Sequence, residues 1–164
     1  MISLKKLTLD DKEILAKLFN NKKIWDNIRD HIPFPYTVCD AEYFINLTLK
    51  EDKQLTFAIT YNGDFCGVIG LMSQNDVHRK SMEIGFWIGE PYWGKGITSK
   101  ALELTLVYAF EQFDINRIFA RVFEHNKASM AVLLNNGFEQ EGVLKHAVIK
   151  NNVICDEYCF GLLI

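Results

Sequence analysis

The chain has 164 residues, of which 49% are apolar and 13% aromatic, and its formal net charge is −3. That length and composition fit one folded domain burying about two thirds of its unfolded surface, and exclude a disordered chain. The acidic balance, with no block of Lys or Arg, excludes electrostatic capture of nucleic acid or of an anionic membrane surface.

Residues 2–9 alternate well enough to predict a first strand. A helix capped by Asp10 and Asp11 follows to Phe19, with Ile14, Leu15, Leu18 and Phe19 on one face. A second helical piece is expected over 24–29, then a loop over 31–37 held extended by Pro33 and Pro35. Asp40 caps a third helix bearing Tyr43, Phe44, Leu47 and Leu49. From Gln54 the pattern changes to short strands. One runs over 55–61 and turns at Asn62-Gly63, a strong hairpin signal, into another over 65–71. After a turn near Asn75-Asp76 an apolar strand covers 82–88. A long helix opening at Thr98 or Ser99 runs to Phe113, a strand covers 115–123, and a helix over 128–134 closes on Gly137. A last hairpin pairs 143–149 with 154–163 around Asn151-Asn152. No repeat or linker interrupts the order, which predicts a single α/β domain over 1–164.

The stretch Ile84 to Ser99 reads as strand, glycine turn and helix N-terminus. That arrangement offers backbone N–H groups at the positive end of a helix dipole, a place for phosphate or pyrophosphate, and Lys95 adds a charge. Spacing excludes two phosphate motifs. Gly89-x-x-x-x-Gly94-Lys95 begins like a P-loop, but Gly96 stands where Ser or Thr must reach magnesium. A dinucleotide fingerprint needs a glycine where Ser99 stands. The start, Met1 to Lys6, lacks the apolar run of a signal peptide, and no segment is apolar enough to span a bilayer. Cys39, Cys66, Cys155 and Cys159 are too scattered for a disulfide framework. Cys155 and Cys159, even with His146, are too few to converge on zinc, so no metal is expected. Free thiols fit a cytoplasmic setting.

Tyr92-Trp93-Gly94-Lys95-Gly96 opening a helix resembles the acyl-coenzyme A loop of GNAT N-acetyltransferases, in the branch that acetylates ribosomal-protein N-termini on alanine or serine. Trp93 stands where the family's first polar residue falls, and Thr98 at the last small position. The likeness extends to Asn126-Lys127-Ala128-Ser129 leading to Gly137-Phe138-Glu139-Gln140-Glu141-Gly142, to Asn27-Ile28-Arg29-Asp30 before Pro33-x-Pro35-Tyr36-Thr37, and to Asp156-Glu157-Tyr158. It covers essentially the whole chain. It implies an α+β fold: a mixed, mostly antiparallel twisted sheet of about seven strands, flanked by four or more helices, with a splayed central strand pair.

The resemblance also implies direct acetyl transfer from acetyl-coenzyme A to a primary amine, with a protein or peptide N-terminus as the first choice of acceptor. A polyamine, amino acid or antibiotic is the alternative. A non-catalytic module sensing acyl-coenzyme A is the reading from another class. The cofactor would meet Phe86, Trp87, Ile88, the loop Trp93, Gly94, Lys95, Gly96, Ile97, Thr98 and Ser99, and Asn126 and Ser129. Glu83 would deprotonate the amine through water, or is a strand-end carboxylate. The family's tyrosine acid is absent, since Leu133 stands there, and Ser129 would replace it, or simply lies in the first turn that Asn126 caps. Trp25, Arg29, His31, Tyr36 and Tyr158 would line the acceptor groove, or pack on the core. The expected assembly is a monomer or homodimer.

Overall fold

The computed structural model describes residues 1–164 and places seven strands in one sheet, ordered β1-β2-β3-β4-β5-β7-β6. The strands are β1 (Ile2–Lys5), β2 (Thr56–Tyr61), β3 (Asp64–Ser73), β4 (Ser81–Ile88), β5 (Arg117–Phe123), β6 (Glu139–Lys150) and β7 (Val153–Leu163). Five helices accompany them: α1 (Lys12–Phe19), α2 (Lys22–Trp25), α3 (Val38–Thr48), α4 (Ile97–Gln112) and α5 (Lys127–Asn135). The β4–β5 pair is parallel, while β1–β2, β2–β3, β5–β7 and β6–β7 are antiparallel. This is the mixed, mostly antiparallel α/β architecture that the sequence predicts. The β4–β5 ladder is three pairs long, Ser81–Glu83 with Arg117–Phe119, although β4 continues to Ile88. Internal contacts divide the chain into two compact units, 1–70 with 86–105, and 71–85 with 106–164.

In the first unit, α1 and α3 bury Leu15, Phe19, Ala41 and Ile45 together with Leu7 and Tyr36. The leucine, isoleucine and phenylalanine side chains among them each contribute about 1.5–3 kcal/mol by leaving water. The strand β1 is shorter than the alternation of 2–9 suggests, because Thr8 starts a capping box. Its N–H donates to Asp11 Oδ2 at 2.9 Å, and a one-turn 3-10 helix (Leu9–Asp11) precedes α1. Asp11 is the N-cap residue of α1, as expected, whereas α3 is capped by Thr37, not Asp40. Asp40 is the third residue of that helix, and its carboxylate takes the Thr37 N–H at 2.7 Å. α2 ends at Trp25 rather than Arg29. The Asn27 side chain takes the Lys23 carbonyl at 2.8 Å, the acceptor that a continuing helix would give to the Asn27 N–H. The hairpin at Asn62-Gly63 holds, with φ of +54° and +95°.

In the second unit, β5 alternates buried Ile118, Ala120 and Val122 with Arg117, Phe119 and Arg121 on the opposite face. α5 buries Met130 and Leu133 and stops where Gly137 adopts φ +83°. β6 begins four residues before the predicted 143, because Glu139 and Gln140 pair with Gly161 and Phe160. Their polar side chains hide the strand from a pattern search. A register shift between Leu144 and Val148 leaves His146 at φ +54°, its N–H donating to Asp156 Oδ1 at 2.9 Å.

Candidate active site

The end of β4 is held by close backbone packing within the first unit. A Cβ on Gly67 would lie 2.3 Å from the Trp87 carbonyl oxygen and 2.9 Å from Ile88 Cα, so only glycine lets β3 pass there. The Gly89 N–H donates to the Cys66 carbonyl at 2.8 Å, and Leu18 occupies the space beside Gly89. The Trp87 ring packs 4.6 Å from Phe19 and 6.2 Å from Phe65. Phe86 and Ile88 complete the strand.

Beyond Gly89 a one-turn 3-10 helix (Glu90–Tyr92) leads into the loop. Glu90 is fixed from α2 and its cap: Asn21 Nδ2 donates to one carboxylate oxygen at 2.7 Å and Lys23 Nζ to the other. The Lys23 bond, then that from Asn21, holds the Glu90 carboxyl below its ordinary value. Trp93 is 42% exposed, and its indole N–H donates to the Ile88 carbonyl at 2.8 Å, staking the loop to the strand it leaves. Its backbone N–H is taken by the Glu90 carbonyl at 3.2 Å. Lys95 folds back, donating to the Pro91 carbonyl at 2.9 Å with Nζ 5.6 Å from the Tyr92 ring centroid.

Gly94 and Gly96 both adopt the left-handed conformation, φ +70° and +71°, and a Cβ on either would point into open space. The Gly96 carbonyl accepts from the Lys100 N–H at 3.2 Å, so α4 opens at buried Ile97, one residue before the expected Thr98. The N–H groups of Gly94, Lys95, Gly96, Ile97 and Thr98 take no acceptor within the chain. Two alternating left-handed residues turn successive N–H groups to one side, a concavity for anions. The first turn of a helix carries partial positive charge and N–H groups with no intrahelical acceptor. The loop therefore fits a diphosphate by both shape and charge. Ser99 follows in the same turn.

The remaining predicted residues fall in both units. In the first, Trp25 Nε1 donates to the Ile32 carbonyl at 2.9 Å and its ring faces Phe34 at 5.6 Å. Arg29 and His31 are exposed beside it. Tyr36 instead sits in the core, 8% exposed and 4.7 Å from Phe19, where burial pushes its hydroxyl up to about 12. In the second unit, Asn126 caps α5, its Oδ1 accepting from the Ser129 N–H at 3.3 Å, which leaves the half-buried Ser129 hydroxyl available. Leu133 has no exposed surface at all. Glu83 is half-buried and stands opposite Phe119 in register. Lys127 Nζ lies 5.1 Å from the Tyr158 ring centroid. No group of three metal-ligating side chains is present, and the four cysteines are unbridged. The clamp on Glu90 from Asn21 and Lys23 was not foreseen. Residues 69 and 67 apart in sequence leave no short-range signal of it.

A strand that ends in a glycine turn, with a bare row of amides at the head of a helix, defines an α/β protein with a site for a phosphate-bearing ligand. The family profile described as an acetyltransferase (GNAT) domain matches residues 2–139, and the chain belongs to that family of N-acetyltransferases. Among proteins of known sequence it is 35% identical to YdaF of Bacillus subtilis, whose name assigns it provisionally to ribosomal N-acetylation. That match spans 64% of this chain and 57% of YdaF. It is 26% identical to the spermidine N(1)-acetyltransferase of Escherichia coli, over 92% of this chain and 79% of that one. Among solved structures, the microcin C7 self-immunity acetyltransferase MccE, in complex with acetyl-CoA and AMP, superposes with a TM-score of 0.83. Its identity is 30%, covering 99% of this chain and 92% of that one. Acetyl-coenzyme A is thus the cosubstrate and an amine the acceptor.

Proposed function

We propose that residues 1–164 work as one domain that moves an acetyl group from acetyl-coenzyme A directly to the α-amine of a protein or peptide N-terminus. The observation carrying this reading is the row of unpartnered N–H groups from Gly94 to Thr98, between two left-handed glycines. Those amides hold the diphosphate, and the thioester supplies the activated acetyl group. Phe86, Trp87 and Ile88 line the path of the pantetheine arm, with a backbone N–H near Trp87 or Ile88 polarising the carbonyl. Asn126 binds the arm, and the Ser129 hydroxyl gives its proton to the leaving sulfur, a role that Leu133 cannot fill from the core.

The acceptor's own acidity supports an N-terminus. An α-amine (pKa ~7.8) is easier to neutralise at pH 7 than a lysine amine (~10.4) by about 2.6 units, or ~3.5 kcal/mol. Glu83, through water, then has little to do for an N-terminal amine and much to do for a lysine. Trp25, Arg29, His31 and Tyr158 contact the acceptor, while Tyr36 packs on Phe19 in the core.

Thiol release with acetyl-coenzyme A, measured against N-terminal alanine and serine peptides, spermidine and lysine-side-chain peptides, tests the reading. The peptides with free α-amines should give the highest kcat/KM. Spermidine as the best acceptor would move the function to polyamine acetylation. Coenzyme A binding without release from any amine would leave a sensor. Unchanged kcat across pH in Ser129→Ala would remove its role as proton donor.

A further inference from the structure

The second unit contains a cavity of about 280 Å³ on the sheet face that carries Arg117, Phe119 and Arg121. These three alternate with buried residues along β5, so all three project from one side. Phe119 is part of the lining. The two guanidinium carbons lie 5.8 and 5.7 Å from its ring centroid, one cation contributed by Arg117 and the other by Arg121. Cys159 stands opposite Arg121 across the β5–β7 ladder, and Ser81 opposite Arg117 across the β4–β5 ladder. Gln74 and His78 close a wall from the β3–β4 connection, tied down by the Gln74 N–H donating to the Ser81 carbonyl at 3.3 Å.

The charge of this cavity is unlike that of the chain. No acidic residue lines it, although the net charge is −3. Two carboxylates flank it: Glu83 stands opposite Phe119 across the β4–β5 ladder, and Glu141 takes both terminal nitrogens of Arg117, one of them at 2.6 Å. Gly161 makes room for that pair, since a Cβ there would lie 2.4 Å from Glu141 Oε1. A guanidinium has five N–H donors, so Arg117 keeps donors beyond that pair. Arg121 is exposed and makes no ion pair in the chain; its guanidinium lies by the Phe119 ring and its charge acts on the Cys159 thiol. Cys159 adds no competing negative charge, because burial pushes its thiol upward and keeps it protonated.

We propose that this cavity is a binding site for an anion attached to a flat apolar body, an aromatic carboxylate or phosphate monoester. Arg121, with Arg117 and His78, holds the charge through charge-assisted hydrogen bonds, and the body lies on Phe119. The site is distinct in residues from the amide row at α4, and the inference stands independently of the acetyl-transfer reading.

Calorimetric titration at low salt with phenyl phosphate, phenylacetate and the neutral phenylacetamide tests it, on the wild-type chain and on Arg121→Gln. Both anions should bind roughly tenfold or more tightly than the amide, and Arg121→Gln should weaken both by a similar factor. The tighter of the two anions tells phosphate from carboxylate. Three results would each overturn the proposal: no anion binding below about 10 mM, equal binding of the neutral amide, or undiminished binding by Arg121→Gln. Phosphate that lodged on the amides of α4 would give the last of these. The comparison of anion with amide on the wild-type chain stands even if the variant folds poorly. Failure of every amine acceptor in the thiol-release assay would leave this result untouched.

Discussion

Gly67→Ala tests how the end of β4 is built. The added methyl would lie 2.3 Å from the Trp87 carbonyl oxygen and 2.9 Å from Ile88 Cα, both backbone atoms that no side-chain rotation can move away. Restoring a normal separation of about 3.5 Å requires roughly 1 Å of backbone displacement. Gly67 is paired with Ile59 in β2, and the neighbouring Cys66 carbonyl holds the Gly89 N–H, so the strain falls on both β3 and the entry to the loop. Overpacking of this kind costs about 3 kcal/mol. In a chain of this size each kcal/mol moves Tm by about 2–4 °C, so a fall of ~6–12 °C is expected. The same displacement carries the Trp93 indole, which is bonded to the Ile88 carbonyl. KM for acetyl-coenzyme A should therefore rise by about tenfold or more, the factor that 1.4 kcal/mol of lost binding produces. Thermal unfolding by circular dichroism and a thiol-release assay read the two effects. Gly142→Ala is the control: a Cβ there meets nothing within 4 Å, and Tm should hold or rise slightly. A Gly67→Ala protein within about 2 °C of wild type, with unchanged KM, would refute the reasoning.

Three further outcomes are expected. Gly96→Ala places a side chain at φ +71°, costing about 1 kcal/mol in stability, and should raise KM for acetyl-coenzyme A while leaving the acceptor KM alone. Leu133→Tyr, which restores the family's acid at a position with no exposed surface, should lower Tm and bring no gain in kcat, because overpacking there costs about 1–3 kcal/mol. The Tyr36 hydroxyl, raised by burial from 10 to about 12, binds its proton more tightly in the folded chain. Its stabilising contribution is complete below pH 10 and lost as pH rises toward about 12. Unfolding measured across that window should show an alkaline loss that is smaller in Tyr36→Phe.

The seven strands, the five helices and the loop were legible because each rests on a local signal. Asn62-Gly63 announces its hairpin, and Gly94 and Gly96 announce a left-handed turn before a periodic helix. Errors collected where side chains compete with the backbone. Thr37 took the cap expected of Asp40, a 3-10 turn opened by Thr8 cut β1 short before Asp11 headed α1 as expected, and Asn27 stopped α2 early. The polar start of β6 carried no alternation to read. Tyr36 stood open between the acceptor groove and the core, and only its tertiary packing on Phe19 puts it in the core. The clamp on Glu90 and the Arg117–Phe119–Arg121 cavity are tertiary, and no spacing along the chain reveals them.

The claim on which the rest depends is that the amides from Gly94 to Thr98 receive the diphosphate of coenzyme A. Amide chemical shifts in an isotope-labelled sample, followed while coenzyme A is added, address it directly. Gly94, Gly96, Ile97 and Thr98 should show large downfield proton shifts that saturate together, as N–H groups do on bonding to an anion. Saturating coenzyme A that leaves these four resonances in place would contradict it.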